Sequence, residues 1–164
     1  RLKQGIDVVK DYGELPLVNC YAGQLSQVLM NLISNAIDAL MEQKTLDTAQ
    51  KLSQFFGKPQ TESSLYQPQI KITTLVCEAE TTELLSFDRW VVIRIADNGP
   101  GITPEIQSRI FEMFFTTKPV GQGTGLGLAI SHQIVTEKHQ GQLNLRSQLG
   151  VGTEFEIRLP LIAA

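Results

Sequence analysis

The spacing of apolar positions changes several times along the chain, and each change marks an element. The clearest run is 25–40, where Leu25, Val28, Leu29, Leu32, Ile33, Ala36, Ile37 and Leu40 recur at steps of three and four. That spacing predicts an amphipathic helix. A second stripe of the same segment holds Gln24, Gln27, Asn31, Asn35, Asp38 and Glu42. A solvated helix face is usually filled with Lys, Glu and Arg, which favour helix. Asn and Asp compete for backbone hydrogen bonds and are poor helix formers. Asn31 and Asn35, one turn apart, are therefore expected to hold something.

Either side of this helix the pattern is shorter. Residues 6–9 and 17–20 read as short β-type runs around a turn at 11–16. Residues 42–67 turn to Gln, Lys, Thr and Ser with an apolar cluster at Leu52, Phe55 and Phe56, read as a continued or second short helix and then a loop. Residues 69–77 alternate through Ile70, Ile72, Thr74 and Val76, as a half-buried strand does. A polar connection over 78–88 leads to 90–96, which is nearly continuously apolar and is expected to be a central strand. Near the C-terminus, 142–147 and 153–159 alternate around Gly150-Val151-Gly152 and predict a closing hairpin. About six strands and three main helices result. They do not alternate strictly, so the expected class is α+β: a two-layer sandwich, with a mixed sheet and helices on one face.

Candidate chemistry lies where these elements end. The strand over 90–96 runs into Asp97-Asn98-Gly99-Pro100-Gly101-Ile102. This is turn composition, but it puts an acceptor-only carboxylate at the exit of a central strand beside bare backbone. Such a group suits the exocyclic amine of adenine and repels the carbonyl that guanine has there. Thr103, Pro104 and Glu105 then start a helix with one apolar edge at Ile106 and Ile110. Phe111, Met113, Phe114 and Phe115 follow, and at least one phenylalanine is expected in the core. Glycines at 121, 123, 125 and 127 precede an apolar helical pattern that runs to about His139, with Gly141 as its stop signal. Glycines that allow close approach, followed by a helix start, make a place for phosphate. Neither common phosphate fingerprint fits, because Lys118 precedes the glycines and no strand leads into them. Thr153, just after Gly152, can face the same pocket.

Composition narrows the classes. The chain has 164 residues, 42% of them hydrophobic and 19% charged, which is ordinary material for one globular domain over 1–164. A net charge of −3 argues against a nucleic-acid footprint. No apolar run approaches a membrane span, and no signal peptide is visible. The first residue is Arg1, so a fragment of a longer chain is expected. Cys20 and Cys77 have no paired spacing and read as thiols in a reducing compartment, and no metal cluster surrounds His132 or His139.

The three separated patches, taken in order, resemble the ATP-binding domain of two-component sensor histidine kinases. Their superfamily also includes DNA gyrase, a heat-shock chaperone and a mismatch-repair protein, and shares the Bergerat ATP-binding fold. The segment from Gln27 through Asn31 to Asn35 and Ala36 resembles the N box, and Asp97 to Ile102 the first glycine box. Ile110 to Lys118 resembles the F box, Gly123-Thr124-Gly125-Leu126-Gly127-Leu128 the second glycine box, and Gly150 to Thr153 the last. The likeness extends from Leu17 to Pro160.

The resemblance implies ATP between the helices and a flexible lid over about 103–124. It implies that Asp97 takes the adenine amine, supported by Thr153, with Gly99, Gly101 and Ile102 along the ring. Asn35 would hold Mg2+ with Asn31 beside it. The backbone over Gly123, Thr124, Gly125, Leu126, Gly127 and Leu128 would cradle phosphates, and Thr117 and Lys118 would sit in the lid, where Lys118 can neutralise the terminal phosphate. Catalytic roles fall to Asn31, Asn35 and Lys118. Two features depart from the usual kinase pattern. Asp38 stands where many kinases carry Lys or Arg, and the segment over 42–67 is longer than usual. Hydrolysing relatives carry a glutamate four residues before the second Asn, as a base for water. Asn31 cannot take a proton, so phosphoryl transfer to a histidine is implied over hydrolysis. The acceptor would lie on a dimerisation domain of the same polypeptide, expected upstream, with a response regulator downstream. The isolated domain would be a monomer, its parent a homodimer, and its location cytoplasmic. The alternatives are a nucleotide-sensing module without catalysis or an ATPase of the same superfamily.

Overall fold

The computed structural model describes the backbone of residues 5–55, 66–78, 89–118 and 123–161, and their side chains apart from those of 46–55. Five strands appear among the described residues: β1 (Asp7–Tyr12), β2 (Gln69–Glu78), β3 (Arg89–Asp97), β4 (Gln142–Gln148) and β5 (Gly152–Pro160). They form one sheet in the order β1-β2-β3-β5-β4. β1 runs parallel to β2 and the other neighbours are antiparallel, so the sheet is mixed. β3, the nearly continuous apolar strand, lies at its centre, as expected.

The period of two turns Ile95 of β3, Phe155 and Ile157 of β5 and Leu143 of β4 to one side. There they meet Val28, Leu32, Ala36 and Leu40 of α1 (Ala22–Phe55) in a single core. Val28, Leu32 and Leu40 are fully buried. Burying such a side chain stabilises by about 1.5–3 kcal/mol, so packing of the apolar stripe, more than helix propensity, seats the first half of α1. α2 (Pro104–Gln107) is a single turn. α3 (Gly127–Gln133) continues into a π-helical turn, Ile134–Lys138, whose Ile134 and Val135 complete the core.

Three expectations need correction. Residues 17–20 form no strand. The β1–β2 ladder extends through Tyr12 opposite Thr74 and closes when Gly13 N–H donates to Thr74 O at 2.8 Å. Beyond that point Val18 packs on the core and Leu17 is fully exposed, and no strand among the described residues pairs with this segment. The helix expected over 25–40 is also longer, running from Ala22 to Phe55 as one element. Thus the continued-helix reading of 42–67 holds for the backbone to 55. The cluster at Leu52, Phe55 and Phe56, the rest of that segment and the connection over 79–88 lie outside the described residues or side chains. Finally, the stop after α3 is displaced by one residue. Gln140 takes the left-handed conformation (φ 51°) and Gly141 N–H reaches back to Val135 O at 2.9 Å.

Candidate functional site

Asp97 is the last residue of β3. The register sets it opposite Thr153 of β5, and Thr153 opposite Ser147 of β4. Each lies two residues beyond a side chain that packs in or on the core (Ile95, Phe155, Leu145), so all three face the helical layer at one end of the sheet. Asp97 Oδ1 accepts the N–H of Gly99 at 2.8 Å, and the N–H of Thr153 also bonds to this carboxylate. Burial pushes the Asp97 carboxyl up to about 6, and these two N–H donors oppose the rise only in part.

Ser147 ties the site's two loops together. Its Oγ accepts the Ile102 N–H at 2.8 Å and donates to Gly152 O at 3.0 Å. The Ser147 and Thr153 hydroxyls meet at 2.8 Å. Gly101 has φ +74°, and a Cβ there would lie 2.1 Å from Gln148 O, so the 97–102 turn can lie against the hairpin only with glycine at this point. Asn98 braces the same turn, donating to Gln67 O at 2.9 Å and accepting Gln69 N–H at 2.8 Å.

α1 forms a wall beside these groups. A Cβ on Gly99 would lie 3.4 Å from Ala39 Cβ, which places the turn against the helix. Asn31 Nδ2 donates to Ser131 Oγ of α3 at 3.0 Å. Its Oδ1 faces Gly127, where a Cβ would lie 2.5 Å away. Asn35 is half-buried, and its side chain makes no hydrogen bond among the described residues. Asp38 Oδ2 meets Lys118 Nζ at 2.5 Å. The described residues hold no cluster of three or more His, Cys, Asp or Glu for a metal. Two amide oxygens on one helix face suit a hard, hydrated ion that draws most of its ligands from water and phosphate, and do not suit a closed metal cage.

The segment over 103–118 is anchored at both ends. Gln107 Nε2 donates to Ile102 O at 2.7 Å and to Ser147 O at 3.1 Å. At the other end Phe114 N–H donates to Gly125 O at 2.8 Å. Gly125 has φ +64°, and a Cβ there would lie 2.4 Å from the Phe114 carbonyl carbon. Between these anchors Ile110 is buried and Phe111 packs on the core, its ring 5.0 Å from that of His132. Phe114 is 73% exposed, and Phe115 lies under the Arg109 guanidinium. The cluster thus divides, with one phenylalanine in the core. Thr103 precedes α2 as expected but caps no backbone N–H. Thr117 and Thr124 are exposed, and Thr124 Oγ1 accepts the Leu126 N–H at 3.3 Å. No side chain caps the start of α3 at Leu126 and Gly127, and Leu128 packs on the core. Gly121 lies outside the described residues.

His139 does structural work. Its Nδ1 bonds to Ile134 O at 2.9 Å, and its Nε2 accepts the Tyr21 N–H at 3.0 Å. Sequence reasoning missed Ser147, Gln107, Ser131 and the partner of Asp38. Ser147 had a signal: it is the polar member of the inward series Leu143, Leu145, Ser147.

With this geometry in view, likeness to known proteins is specific. The family described as "Histidine kinase-, DNA gyrase B-, and HSP90-like ATPase" matches residues 21–163. The two-component sensor PprA of Pseudomonas aeruginosa is 37% identical over 147 residues, which are 90% of this chain and 13% of PprA. The catalytic domain of histidine kinase ThkA is similar with a TM-score of 0.62 and 28% identity, over 96% of this chain and 80% of that one. Full-length ShkA in complex with AMPPNP is similar with a TM-score of 0.64 and 26% identity, over 99% of this chain and 27% of ShkA. The chain therefore spans a small part of the length of the sensor proteins it matches. It belongs to the histidine kinase-, DNA gyrase B- and HSP90-like ATPase family. Its mixed sheet under one helical layer is the Bergerat ATP-binding fold of histidine kinase catalytic domains.

Proposed function

We propose that this domain binds Mg-ATP beside α1 and donates the γ-phosphoryl group to a histidine on a separate dimerisation domain of the same polypeptide, from which a response regulator takes it. The observation that carries the reading is Asp97, a half-buried carboxylate with backbone donors and no cation beside it among the described residues. Such a group is completed by a donor from a ligand, and the adenine amine is that donor. The AMPPNP complex of ShkA supports a nucleotide as the ligand.

The remaining roles are those the resemblance implies. Thr153 Oγ1 supports the adenine end, and Gly99, Gly101 and Ile102 give a wall of bare backbone. The amides of Gly123, Thr124, Gly125, Leu126, Gly127 and Leu128 meet the phosphates at the uncapped start of α3. Asn35, with Asn31 beside it, would hold the magnesium ion, which when bound would supply charge neutralisation on the phosphates. Thr117 and Lys118 belong to the lid over 103–124, and Lys118 Nζ meets the terminal phosphate. Asn31 is bonded to Ser131 and cannot take a proton from water, so a hydrolytic ATPase lacks its base here. The chain's contribution is positioning and electrostatic stabilisation of the transferred group. No helix among the described residues is long and apolar enough to cross a membrane, and use of ATP sets the domain in the cytoplasm. The domain alone is a monomer and its parent a homodimer.

The test supplies the full-length polypeptide with γ-labelled ATP and magnesium. Acid-labile phosphate on a histidine is expected, with negligible phosphate release by the isolated domain. Steady release by the isolated domain with no phosphohistidine would replace this reading with the ATPase.

A further inference from the structure

Asp38 has no role in the reading above, yet it makes a contact that spans the molecule. Its Oδ2 meets Lys118 Nζ at 2.5 Å and so joins α1 to a position 80 residues away. Lys118 is held at two other points. Its N–H donates to Thr116 Oγ1 at 3.1 Å. Its aliphatic stem lies along Gly123, where a Cβ would come within 3.1 Å of Lys118 Cβ and 3.3 Å of Cδ. Backbone and stem fix where the side chain begins, and Asp38 fixes where its ammonium ends. Asp38 stands three residues beyond Asn35 and seven beyond Asn31, on the same helix stripe. The ammonium is thereby held on that stripe about one turn beyond Asn35. Lysine has three donors, and the contact with Asp38 leaves donors free.

We propose that Asp38 is a positioning residue for Lys118: it holds the ammonium ready for a terminal phosphate and so favours a nucleoside triphosphate over the diphosphate. This rests on the assignment of Lys118 to the terminal phosphate made above. A lysine left free surrenders rotamer freedom when it binds, and one already held has less to surrender. The two side chains are 38% and 49% exposed, so the pair is screened and the effect is modest.

The experiment measures AMPPNP and ADP affinities calorimetrically, with magnesium, for the 164-residue chain and for four variants: Asp38→Asn, Asp38→Glu, Lys118→Met and the double change Asp38→Asn with Lys118→Met. Melting midpoints without nucleotide establish that each variant is folded. Lys118→Met should lower the AMPPNP-to-ADP affinity ratio about tenfold or more, as loss of a charge-assisted bond does. Asp38→Asn should lower it about two- to fivefold, Asp38→Glu should preserve it, and Asp38→Asn should cost nothing further once Lys118 is gone. An unchanged ratio in Asp38→Asn beside a reduced one in Lys118→Met overturns the proposal and leaves Lys118 its role. An unchanged ratio in Lys118→Met overturns both. An equal loss from Asp38→Asn in either background makes Asp38 merely structural, and tighter AMPPNP binding by Asp38→Asn makes the pair a competitor of phosphate. Either result also overturns the proposal.

Discussion

Two carboxylates, one buried and one half-buried, lie on opposite faces of this sheet, and the chain treats them in opposite ways. Glu156 faces away from the helices and is 2% exposed. Arg94 Nε donates to its Oε2 and Arg158 Nε to its Oε1, both at 2.7 Å. Burial pushes its carboxyl up, but the bonds and attraction from Arg94 and Arg158 together outweigh burial and hold it below the usual carboxylate range. Asp97 faces the helices with backbone N–H groups alone, and burial carries it up to about 6. A carboxylate answered by two guanidinium groups is finished structure. One raised and unanswered costs stability in the free protein, which is how functional groups are commonly set apart.

The largest effect that separates the two comes from neutral replacements. Asp97→Asn replaces one of the two acceptor oxygens with an NH2 donor, so the side chain can no longer accept from both its backbone N–H partners and the adenine amine, and should weaken ATP binding by about 3 kcal/mol, or roughly a hundredfold. Unchanged affinity in a calorimetric titration would remove Asp97 from the site. Glu156→Gln should leave that affinity intact and instead lower stability by about 2 kcal/mol, discounted because both arginines are partly exposed. Chemical denaturation reads the loss directly.

Acidity provides the next separation. ATP affinity needs ionised Asp97, so it should be full above about 6 and decline below it, by up to about tenfold per unit. Titrations between pH 5 and pH 8 check this, and the slope should vanish in Asp97→Asn. For folding, the raised Asp97 contributes stability that is complete below its unfolded value and lost as pH rises through about 6. Glu156 has the reverse sign: its contribution is present above its unfolded value and lost as pH falls through its lowered one. The smallest effect is expected from Ser147→Ala. It removes the links to Ile102 and Thr153 while leaving Asp97 charged, and should weaken ATP binding by about 1 kcal/mol, or roughly fivefold.

Local pattern carried much of this and failed where contacts are distant. The α1 stripe and the placement of β3 were readable because periods of 3.6 and 2 report burial directly. Gly101 and Gly125 were read as room for a ligand, whereas the close approach present in the fold is to backbone of the chain itself, which a Cβ at either position would strike. Residues 17–20 misled because a short apolar run says nothing about whether a neighbouring strand exists, and the β1 ladder had closed at Gly13. The length of α1 was left open between a continued and a second helix, because its apolar phase fades after 42. Asp38 with Lys118, and Asn31 with Ser131, join positions 80 and 100 apart, so no local window contains either pair.

One helix touches all three parts of the site: Asn31 at Gly127, Asp38 at Lys118 and Ala39 at Gly99. An α-helix turns about 100° per residue. A single amino acid inserted between 32 and 37 would therefore swing the latter two contacts off their partners together while Asn31 stayed in place. The spacing along this rod acts as a gauge, set by the number of residues within that short interval.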